Sequence, residues 1–226
     1  MKSIVVFTGA GISAESGLGT FRDSAGLWEQ YKIEDVATPE AFKKNPQLVL
    51  NFYNLRREQV LKSKPNQGHI ALNKLTKKFN LDIITQNIDD LHERSGSNNV
   101  IHLHGNILEA KSTSDNNQIY PIKGAVLNIG ELCNEGYQLR PNVVWFGESV
   151  PNMLKAIEKA KDADIFIIIG TSLTVYPAAS LLEYTKEECE KYYIDPNAEL
   201  NNKKITSIKK HATKGVELLV NQLLKS

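Results

Sequence analysis

One histidine and a group of polar side chains stand where reactive groups are common in enzymes. His104 directly follows an apolar run, and three further polar side chains follow the preceding apolar run, namely Gln86, Asn87 and Asp89. A neutral imidazole accepts a proton near neutral pH, so His104 is a candidate general base. Residue type and position alone leave a catalytic and a structural role for His104 equally open.

A second pattern points to phosphate binding. The apolar residues 4–7 lead into Gly9-Ala10-Gly11-Ile12-Ser13-Ala14, which fits the G-x-G-x-x-A spacing of a nucleotide-binding turn. Glycines in such a turn let the backbone approach a pyrophosphate, and the helix that follows directs free N–H groups toward the anion. A buried strand with a glycine turn and no ligand shows the same short motif, so both interpretations stay open.

The acidic residue that usually follows such a turn is missing. A dinucleotide fold ordinarily carries an acidic residue about 20 residues further on, at the end of its second strand. This chain instead has two glycine-containing stretches, Gly17-Leu18-Gly19-Thr20-Phe21-Arg22-Asp23 and Gly26-Leu27-Trp28. We therefore predict a nucleotide site of another design, covered by a long glycine-hinged loop. In that loop Phe21 supplies a flat apolar face and Arg22 a fixed positive charge.

Length and charge limit the class of protein. The chain has 226 residues, enough for one large domain or one domain with an insertion. A formal net charge of +1 gives no support for binding to nucleic acid or to a membrane surface. The chain shows no basic leader and no apolar stretch of about 18 residues, so we expect a soluble, cytoplasmic protein. Cys133 and Cys189 form no C-x-x-C pair, which favours two reduced, inert thiols.

Apolar strand-like runs alternate with helical patterns along most of the chain. We predict strands at 4–8, 81–85, 100–103, 141–150, 164–169 and, as the last one, 191–194, with helices at 39–62 (broken at Pro46), 65–79, 90–94, 151–163, from Pro177 and from Thr213. Residues 106–141 indicate a turn-rich insertion rather than a sheet layer. The alternation predicts an α/β fold with a mostly parallel, doubly wound sheet.

The flagged residues share a place in this predicted sheet. Each lies just past the carboxyl end of a strand, and these ends form the ligand crevice of an open parallel sheet. The positions are Gly9, Gln86, His104, Gly170-Thr171-Ser172 and Asp195-Pro196-Asn197.

Two further features are ambiguous from the residues alone. Tyr53 and Arg56 are three apart and share a helix face, but the pattern favours a partly buried tyrosine beside a solvated arginine. Extended backbone near Phe146 and Gly147 suits pairing with a peptide laid in as an extra strand. An ordinary edge strand explains that segment equally well.

Six motifs together resemble the sirtuins, the NAD-dependent protein lysine deacylases. They are Gly9-Ala10-Gly11-Ile12-Ser13, Thr20-Phe21-Arg22, Gln86-Asn87-Ile88-Asp89, His104-Gly105, Val144-Trp145-Phe146-Gly147-Glu148 and Gly170-Thr171-Ser172, in the family's order. The resemblance covers nearly the whole chain. It implies a Rossmann-like large part (approximately 1–24, 61–105 and 142–226), a small inserted part (approximately 25–60 and 106–141) and an acyl-lysine tunnel between them.

The resemblance also implies the cofactor, the substrate and the residue roles. NAD is the implied cofactor, and an acyl-lysine protein or peptide is the implied substrate. In the implied mechanism the acyl oxygen attacks C1′ of the nicotinamide ribose and nicotinamide leaves. His104 then helps the ribose 2′-hydroxyl to attack the resulting imidate. Asn87 and Asp89 would hold the nicotinamide ribose and amide, Ser13 and Arg22 would meet phosphate and ribose, and Phe21 would shield C1′ from water.

Two sets of site residues follow from the same resemblance. The cofactor-binding set is Gly9, Ala10, Gly11, Ser13, Phe21, Arg22, Trp28, Gln86, Asn87, Asp89, Gly170, Thr171, Ser172, Asp195, Pro196, Asn197 and Ala212. The substrate-binding set is Tyr53, Arg56, Val144, Phe146 and Gly147.

Two departures from the family pattern refine the prediction. Many sirtuins carry two cysteine pairs for a structural zinc in the second insertion, whereas this segment has only Cys133, so we predict no metal. Gly19-Thr20 replaces a frequent Pro-Asp, and Tyr53 and Arg56 match a Tyr-x-x-Arg pair. Gly19-Thr20 and the Tyr53–Arg56 pair resemble the pattern of the zinc-less sirtuin branch that removes succinyl and malonyl groups. The predicted products are deacylated lysine, nicotinamide and O-acyl-ADP-ribose.

Two other functions compete with the deacylase prediction. A mono-ADP-ribosyltransferase could use a related cleft, although such chemistry has no need of a base for the 2′-hydroxyl. A nucleotide-sensing module could bind NAD without turnover. Incubation with NAD and an acyl-lysine peptide separates all three by their products.

Overall fold

The structure, a computed structural model, describes residues 1–19, 31–114, 118–198 and 204–225. Its strands are β1 (Ser3–Thr8), β2 (Asn80–Thr85), β3 (Val100–His102), β4 (Gly105–Ser112), β5 (Ile119–Pro121), β6 (Leu139–Val143), β7 (Ile165–Ile169), β8 (Glu190–Ile194) and β9 (Ile205–Ile208). Six of them form a parallel sheet in the order β3-β2-β1-β7-β8-β9. The predicted α/β fold with a doubly wound parallel sheet is therefore confirmed.

Helices cover this sheet on both faces. They are α1 (Gly11–Ala14), α2 (Ile33–Val36), α3 (Pro39–Lys44), α4 (Pro46–Lys62), α5 (Gln67–Leu72), α6 (Leu91–Arg94), α7 (Met153–Asp162) and α8 (Ala212–Lys225), with 3₁₀ helices at Asn73–Lys77 and Ala178–Tyr184. No helix in these described ranges is both long and apolar enough to cross a membrane.

The central strand β7 shows why the sheet lies in the interior. All five of its side chains, Ile-Phe-Ile-Ile-Ile, are buried. Ile165, Ile167 and Ile169 pack with residues of α5 and α8, whereas Phe166 and Ile168 pack with residues of α7 and the second 3₁₀ helix. A strand that is apolar at every position is typical of a parallel sheet covered on two sides.

A separate three-stranded antiparallel sheet, in the order β5-β4-β6, lies largely within residues 106–141, which were predicted to be a turn-rich insertion rather than a sheet layer. That prediction was wrong. Gly124, Gly130 and Gly136 all have positive φ, and all three fall between β5 and β6. These glycines mark turns between short strands rather than the absence of strands. The approximate boundaries of the large and small parts remain a prediction.

Other element predictions need smaller corrections. The strand predicted at 141–150 is β6, which ends at Val143. The helices predicted at 65–79 and from Pro177 are partly or wholly 3₁₀. The last strand, β9, was missed because Ile205-Thr206-Ser207-Ile208 contains only two apolar residues. At the edge of a sheet a short, half-polar strand suffices.

A buried arginine joins α4 to the small sheet. Arg57 is completely buried, and its Nε donates to the Ile107 carbonyl oxygen at 2.6 Å. Its Nη1 donates to Asn54 Oδ1 at 2.7 Å and to the Ala125 carbonyl oxygen at 2.9 Å. Burial lowers the pKa of Arg57 to about 10. One side chain thus fastens β4 and the loop at Ala125 to the helix that carries Tyr53 and Arg56.

Candidate active site

The turns after β1 and β7 touch through glycines. The Gly11 N–H donates to the Gly170 carbonyl oxygen at 2.9 Å, and Gly170 has a φ of +60°. A Cβ at Gly9 would lie 2.7 Å from that oxygen, and one at Gly11 would lie 2.6 Å from the Gly170 Cα. Only glycine fits at these positions because the two turns pack directly on each other. This is a structural requirement in addition to the predicted approach of a pyrophosphate.

A cavity of about 700 Å³ is lined by these turns, by α4 and by the turn after β8. The predicted site residues that the structure describes all line this one cavity. Thr20, Phe21, Arg22 and Trp28 lie outside the described residues. Cavities of this size are typical of cofactor and substrate sites, and the position matches the switch point of the sheet between β1 and β7.

His104 lies just past β3 with a defined tautomer. Its Nδ1 is 2.9 Å from the Gln86 carbonyl oxygen. Because a carbonyl oxygen only accepts, Nδ1 must carry the proton, which leaves the lone pair of the neutral ring on Nε2. Burial lowers the pKa of His104, and the bond to Gln86 opposes this only in part. The half-buried ring is therefore neutral near pH 7 and can accept a proton at Nε2.

The Gln86 side chain links two of the strand ends. Its Nε2 donates to Thr171 Oγ1 at 2.9 Å, across the turns that follow β2 and β7. The backbone carbonyl of the same residue holds His104. The position of the histidine thus depends on the contact between these two turns.

Ser13, Asn87 and Asp89 form a buried polar cluster that lines the same cavity as His104. The Ser13 hydroxyl donates to Asp89 Oδ2 at 3.1 Å and accepts from Asn87 Nδ2 at 3.2 Å. His69 Nε2 lies 3.4 Å from the same hydroxyl. Burial raises the pKa of Asp89, although bonds from the Leu91 N–H and Ser13 lower it. The serine orients the amide and the carboxylate, so a phosphate contact from its side chain would compete with these bonds.

Tyr53 and Arg56 both face the cavity from α4. Tyr53 is 1% exposed, and its hydroxyl oxygen accepts a bond from Trp145 Nε1 at 3.0 Å. Arg56 is half-buried rather than solvated, with its guanidinium carbon 5.7 Å from the centre of the Phe52 ring. Burial lowers the pKa of Arg56, while the phenol of Tyr53 and the carboxylate of Asp89 raise it.

Residues 144–148 form a turn rather than the predicted continuation of a strand. The Val144 N–H donates to the His104 carbonyl oxygen at 2.9 Å, and the Phe146 N–H donates to Ala37 O at 3.0 Å. Gly147 has a φ of +91°. The Phe146 side chain is 46% exposed at the cavity. The extended interpretation was wrong because the chain turns at Gly147, and pairing with a substrate peptide stays a prediction.

The far end of the cavity includes Asp195, Pro196, Asn197 and Ala212. Asp195 Oδ1 accepts from the Asn197 N–H at 2.8 Å. Sequence reasoning missed six other polar or aromatic lining residues, namely Gln59, Trp145, Glu148, Thr174, Tyr176 and His211. Trp145 and Glu148 stood inside a recognised motif. Gln59 lies three residues after Arg56 on α4, so helical spacing alone predicts that it shares a helix face with Arg56.

Comparison with known proteins agrees with this geometry. The sequence model of the Sir2 family matches residues 9–177. The chain belongs to the Sir2 family. A protein from Bacteroides thetaiotaomicron named NAD-dependent protein deacylase is 48% identical over 231 residues, covering 99% of each chain.

Solved Sir2 structures share the fold. A structure described as a Sir2 homolog–NAD complex superposes with a TM-score of 0.89 at 39% identity, covering 99% of this chain and 90% of that one. A structure described as Sir2 bound to acetylated peptide has a TM-score of 0.82 at 30% identity, covering 99% and 94% of the two chains.

The residues of this Sir2 protein fit a dinucleotide. The cavity is lined by the turn at 9–11, in which two of the three residues are glycines, and by the buried amide of Asn87 and carboxylate of Asp89. These groups suit a phosphate-bearing, hydroxyl-rich ligand. In the described part of the chain, no three His, Cys, Asp or Glu side chains are placed to hold a metal ion.

Proposed function

We propose that this protein is an NAD-dependent protein lysine deacylase that prefers succinyl and malonyl groups to acetyl. Its products are deacylated lysine, nicotinamide and O-acyl-ADP-ribose. The observation that carries the proposal is a single cavity that contains a neutral His104, the glycine turns and the Tyr53–Arg56 pair. The Sir2 relatives named as NAD-dependent protein deacylases support the same activity.

His104 acts as the general base in this proposal. When bound, NAD supplies an electrophilic ribose carbon, C1′, whose bond to nicotinamide breaks. The Nε2 lone pair of His104 accepts the proton of the ribose 2′-hydroxyl, while Nδ1–H stays bonded to Gln86. The low pKa of the ring keeps it unprotonated at neutral pH, as a base requires.

The remaining residues hold the two substrates. Asn87 and Asp89 bind the nicotinamide ribose and amide, with the Ser13 hydroxyl orienting both side chains. In this proposal the phosphates lie against the glycine turns at 9–11 and 170–172, and the adenosine lies toward Asp195 and Ala212. We assign three further residues to the same cofactor site, namely Phe21, Arg22 and Trp28.

Tyr53 and Arg56 select the acyl group. A guanidinium pairs bidentately with a carboxylate, and a phenol donates one further hydrogen bond. Burial lowers the pKa of Arg56 because desolvation disfavours the charged guanidinium. A negatively charged acyl group offsets this cost, whereas an uncharged acetyl group does not. Both side chains project from one face of α4 into the cavity, so one carboxylate can contact both.

Product analysis tests this function against its two rivals. The protein is incubated with NAD and a matched set of acetyl-, malonyl- and succinyl-lysine peptides, and peptide and protein masses are measured. A deacylase yields free-lysine peptide and O-acyl-ADP-ribose. A gain of ADP-ribose mass on protein would show a mono-ADP-ribosyltransferase instead. No change in any mass, with NAD bound, would show a sensing module.

A further inference from the structure

An ion pair between a buried arginine and a half-buried glutamate lies at the turn that lines the cavity. Arg140, on β6, donates from Nη1 to Glu148 Oε1 at 2.6 Å and from Nη2 to Oε2 at 3.0 Å. Nη2 also donates to the Val143 carbonyl oxygen at 2.9 Å. The Arg140 side chain is 8% exposed. A bidentate pair of this kind fixes the relative orientation of its two planes as well as their distance.

This pair closes the turn that carries three predicted substrate contacts. Glu148 Oε2 accepts the backbone N–H of Trp145 at 2.8 Å, and the Glu148 N–H donates to the Trp145 carbonyl oxygen at 3.0 Å. Arg140 contacts both the Val143 carbonyl oxygen and Glu148, so Val144, Phe146 and Gly147 lie on a loop whose two ends this pair joins. Both carboxylate oxygens accept hydrogen bonds from the chain, so Glu148 acts on the loop rather than on a substrate.

The same pair holds the Trp145 indole. The guanidinium carbon of Arg140 lies 3.2 Å from the centre of the indole ring, and Phe42 packs against that ring at 5.3 Å. The indole N–H then donates to the hydroxyl oxygen of Tyr53 at 3.0 Å. A phenol that accepts this bond must direct its own proton away from the indole. Contacts thus run without a break from Glu148 to the Tyr53 hydroxyl at the cavity.

We propose that Arg140 and Glu148 are positioning residues for the acyl-lysine peptide, and that Trp145 determines specificity by directing the Tyr53 hydroxyl proton toward an acidic acyl group. The inference rests on the proposed deacylase function and extends it from residues that line the cavity to the pair that holds them. Two measurable properties separate these roles: the affinity for any acyl peptide and the preference among acyl groups.

The variant Glu148→Gln tests the positioning pair. It keeps the size of the side chain but removes its charge, and Glu187→Gln is the matched control. Glu187 forms an exposed ion pair with Lys204 at 2.7 Å, with a side chain that is 79% exposed. We expect Glu148→Gln to raise KM about tenfold for both acetyl- and succinyl-lysine peptides, with kcat within about threefold and ADP-ribose affinity within about twofold. The control should match the wild type.

Two results would overturn the positioning role. One is a KM for Glu148→Gln equal to that of Glu187→Gln. The other is a parallel loss of melting temperature, ADP-ribose affinity and peptide affinity, which would mark a general structural pair.

The variant Trp145→Phe tests specificity and keeps the inference testable if Glu148→Gln does not fold. Phenylalanine keeps an aromatic ring under Arg140 but has no N–H to donate to Tyr53. We expect kcat/KM to fall about five- to tenfold on the succinyl peptide and to stay within about twofold on the acetyl peptide. Equal effects on the two peptides, or no effect, would overturn the specificity role.

A binding measurement separates failure of this inference from failure of the proposed function. Absence of turnover by the wild type on every acyl peptide would reject the deacylase function by itself. Calorimetric binding of acetyl- and succinyl-lysine peptides, with ADP-ribose present, then decides the positioning role. Glu148→Gln should weaken binding about tenfold and Glu187→Gln should not. Weakening in both variants, or in neither, would reject it.

Discussion

The two sheets of this protein bring their residues to the cavity by different means. At the six-stranded sheet backbone contacts position the glycine turns and His104, because Gly11 packs on Gly170 and the Gln86 carbonyl oxygen holds His104. Around the three-stranded sheet long side chains do so, with Arg57 fastening β4 to α4 and Arg140 closing the turn at Glu148. Backbone contacts tolerate few substitutions, whereas side-chain contacts can be altered one at a time.

This difference suggests how the work of the site is divided. His104, Asn87 and Asp89 follow strands of the parallel sheet, and the proposed reaction chemistry rests on them. Tyr53 and Arg56 come from α4, which packs on the small sheet, and the proposed acyl preference rests on them. Changes in one region should therefore alter chemistry, and changes in the other should alter stability or selectivity.

The largest expected effect comes from the parallel sheet. His104→Ala should lower kcat by about 10²- to 10⁴-fold, because the general base is lost. ADP-ribose affinity should stay within a few-fold, since the base acts after the cofactor is bound. Steady-state kinetics and calorimetry on the same preparation measure both. Activity above about a tenth of the wild type would remove His104 from this role.

The second effect concerns the small sheet. Arg57→Met should lower the free energy of unfolding by about 2 to 4 kcal/mol, because the carbonyl oxygens of Ile107 and Ala125 lose their buried donor. Denaturant titration measures this loss. Lys62→Met, on the same helix with a side chain that is 74% exposed, is the matched control and should change stability by less than about 0.5 kcal/mol. Equal stability of the two variants would contradict the structural role of Arg57.

A smaller effect is expected from pH. Protonation of His104 removes the Nε2 lone pair, so kcat/KM, which reports the pKa of the free enzyme, should fall tenfold per pH unit below the pKa of this ring. Burial lowers that pKa, so the acidic side of the pH–activity profile should have its midpoint below the ordinary histidine value of about 6.5. Arg56→Met should show the same acidic midpoint, because Arg56 is proposed to select the acyl group and does not supply the base. A midpoint at or above about 6.5 would contradict the neutral buried imidazole.

The smallest expected effect is that of a chelator. Cys133 and Cys189 cannot supply a tetrahedral zinc site on their own. We therefore expect no stoichiometric zinc in the purified protein and no change of melting temperature on treatment with EDTA. Elemental analysis and thermal melts check this. One zinc per chain, lost together with stability, would show that the small sheet depends on metal after all.

Sequence reasoning succeeded where one local signal determined the structure. The run at 165–169 is apolar at every position and became the central strand β7. Glycines at 9, 11 and 170 marked the turns that meet at the switch point of the sheet. Because the carboxyl ends of parallel strands share one edge, separate motifs could be assigned to one cavity before any contact was known.

Sequence reasoning failed where contacts between distant side chains determined the structure. The small sheet was missed because β5 has only three residues and three glycines at turns fall between β5 and β6. Nothing local showed that Arg57 would cross to Ala125, 68 residues away. The bond from Trp145 to Tyr53, 92 residues away, likewise depends on how α4 packs on β6.

The central claim is that α4 chooses the acyl group while the parallel sheet performs the chemistry. The most direct test is a one-pot competition between succinyl- and acetyl-lysine peptides of the same sequence, with wild type and Arg56→Met. A desolvated charge pair contributes about 2 to 4 kcal/mol, so the preference for succinyl should fall about 30- to 1000-fold in the variant. Deacetylation should stay within about twofold. Equal losses on the two peptides would show that Arg56 is a structural residue and would contradict this division.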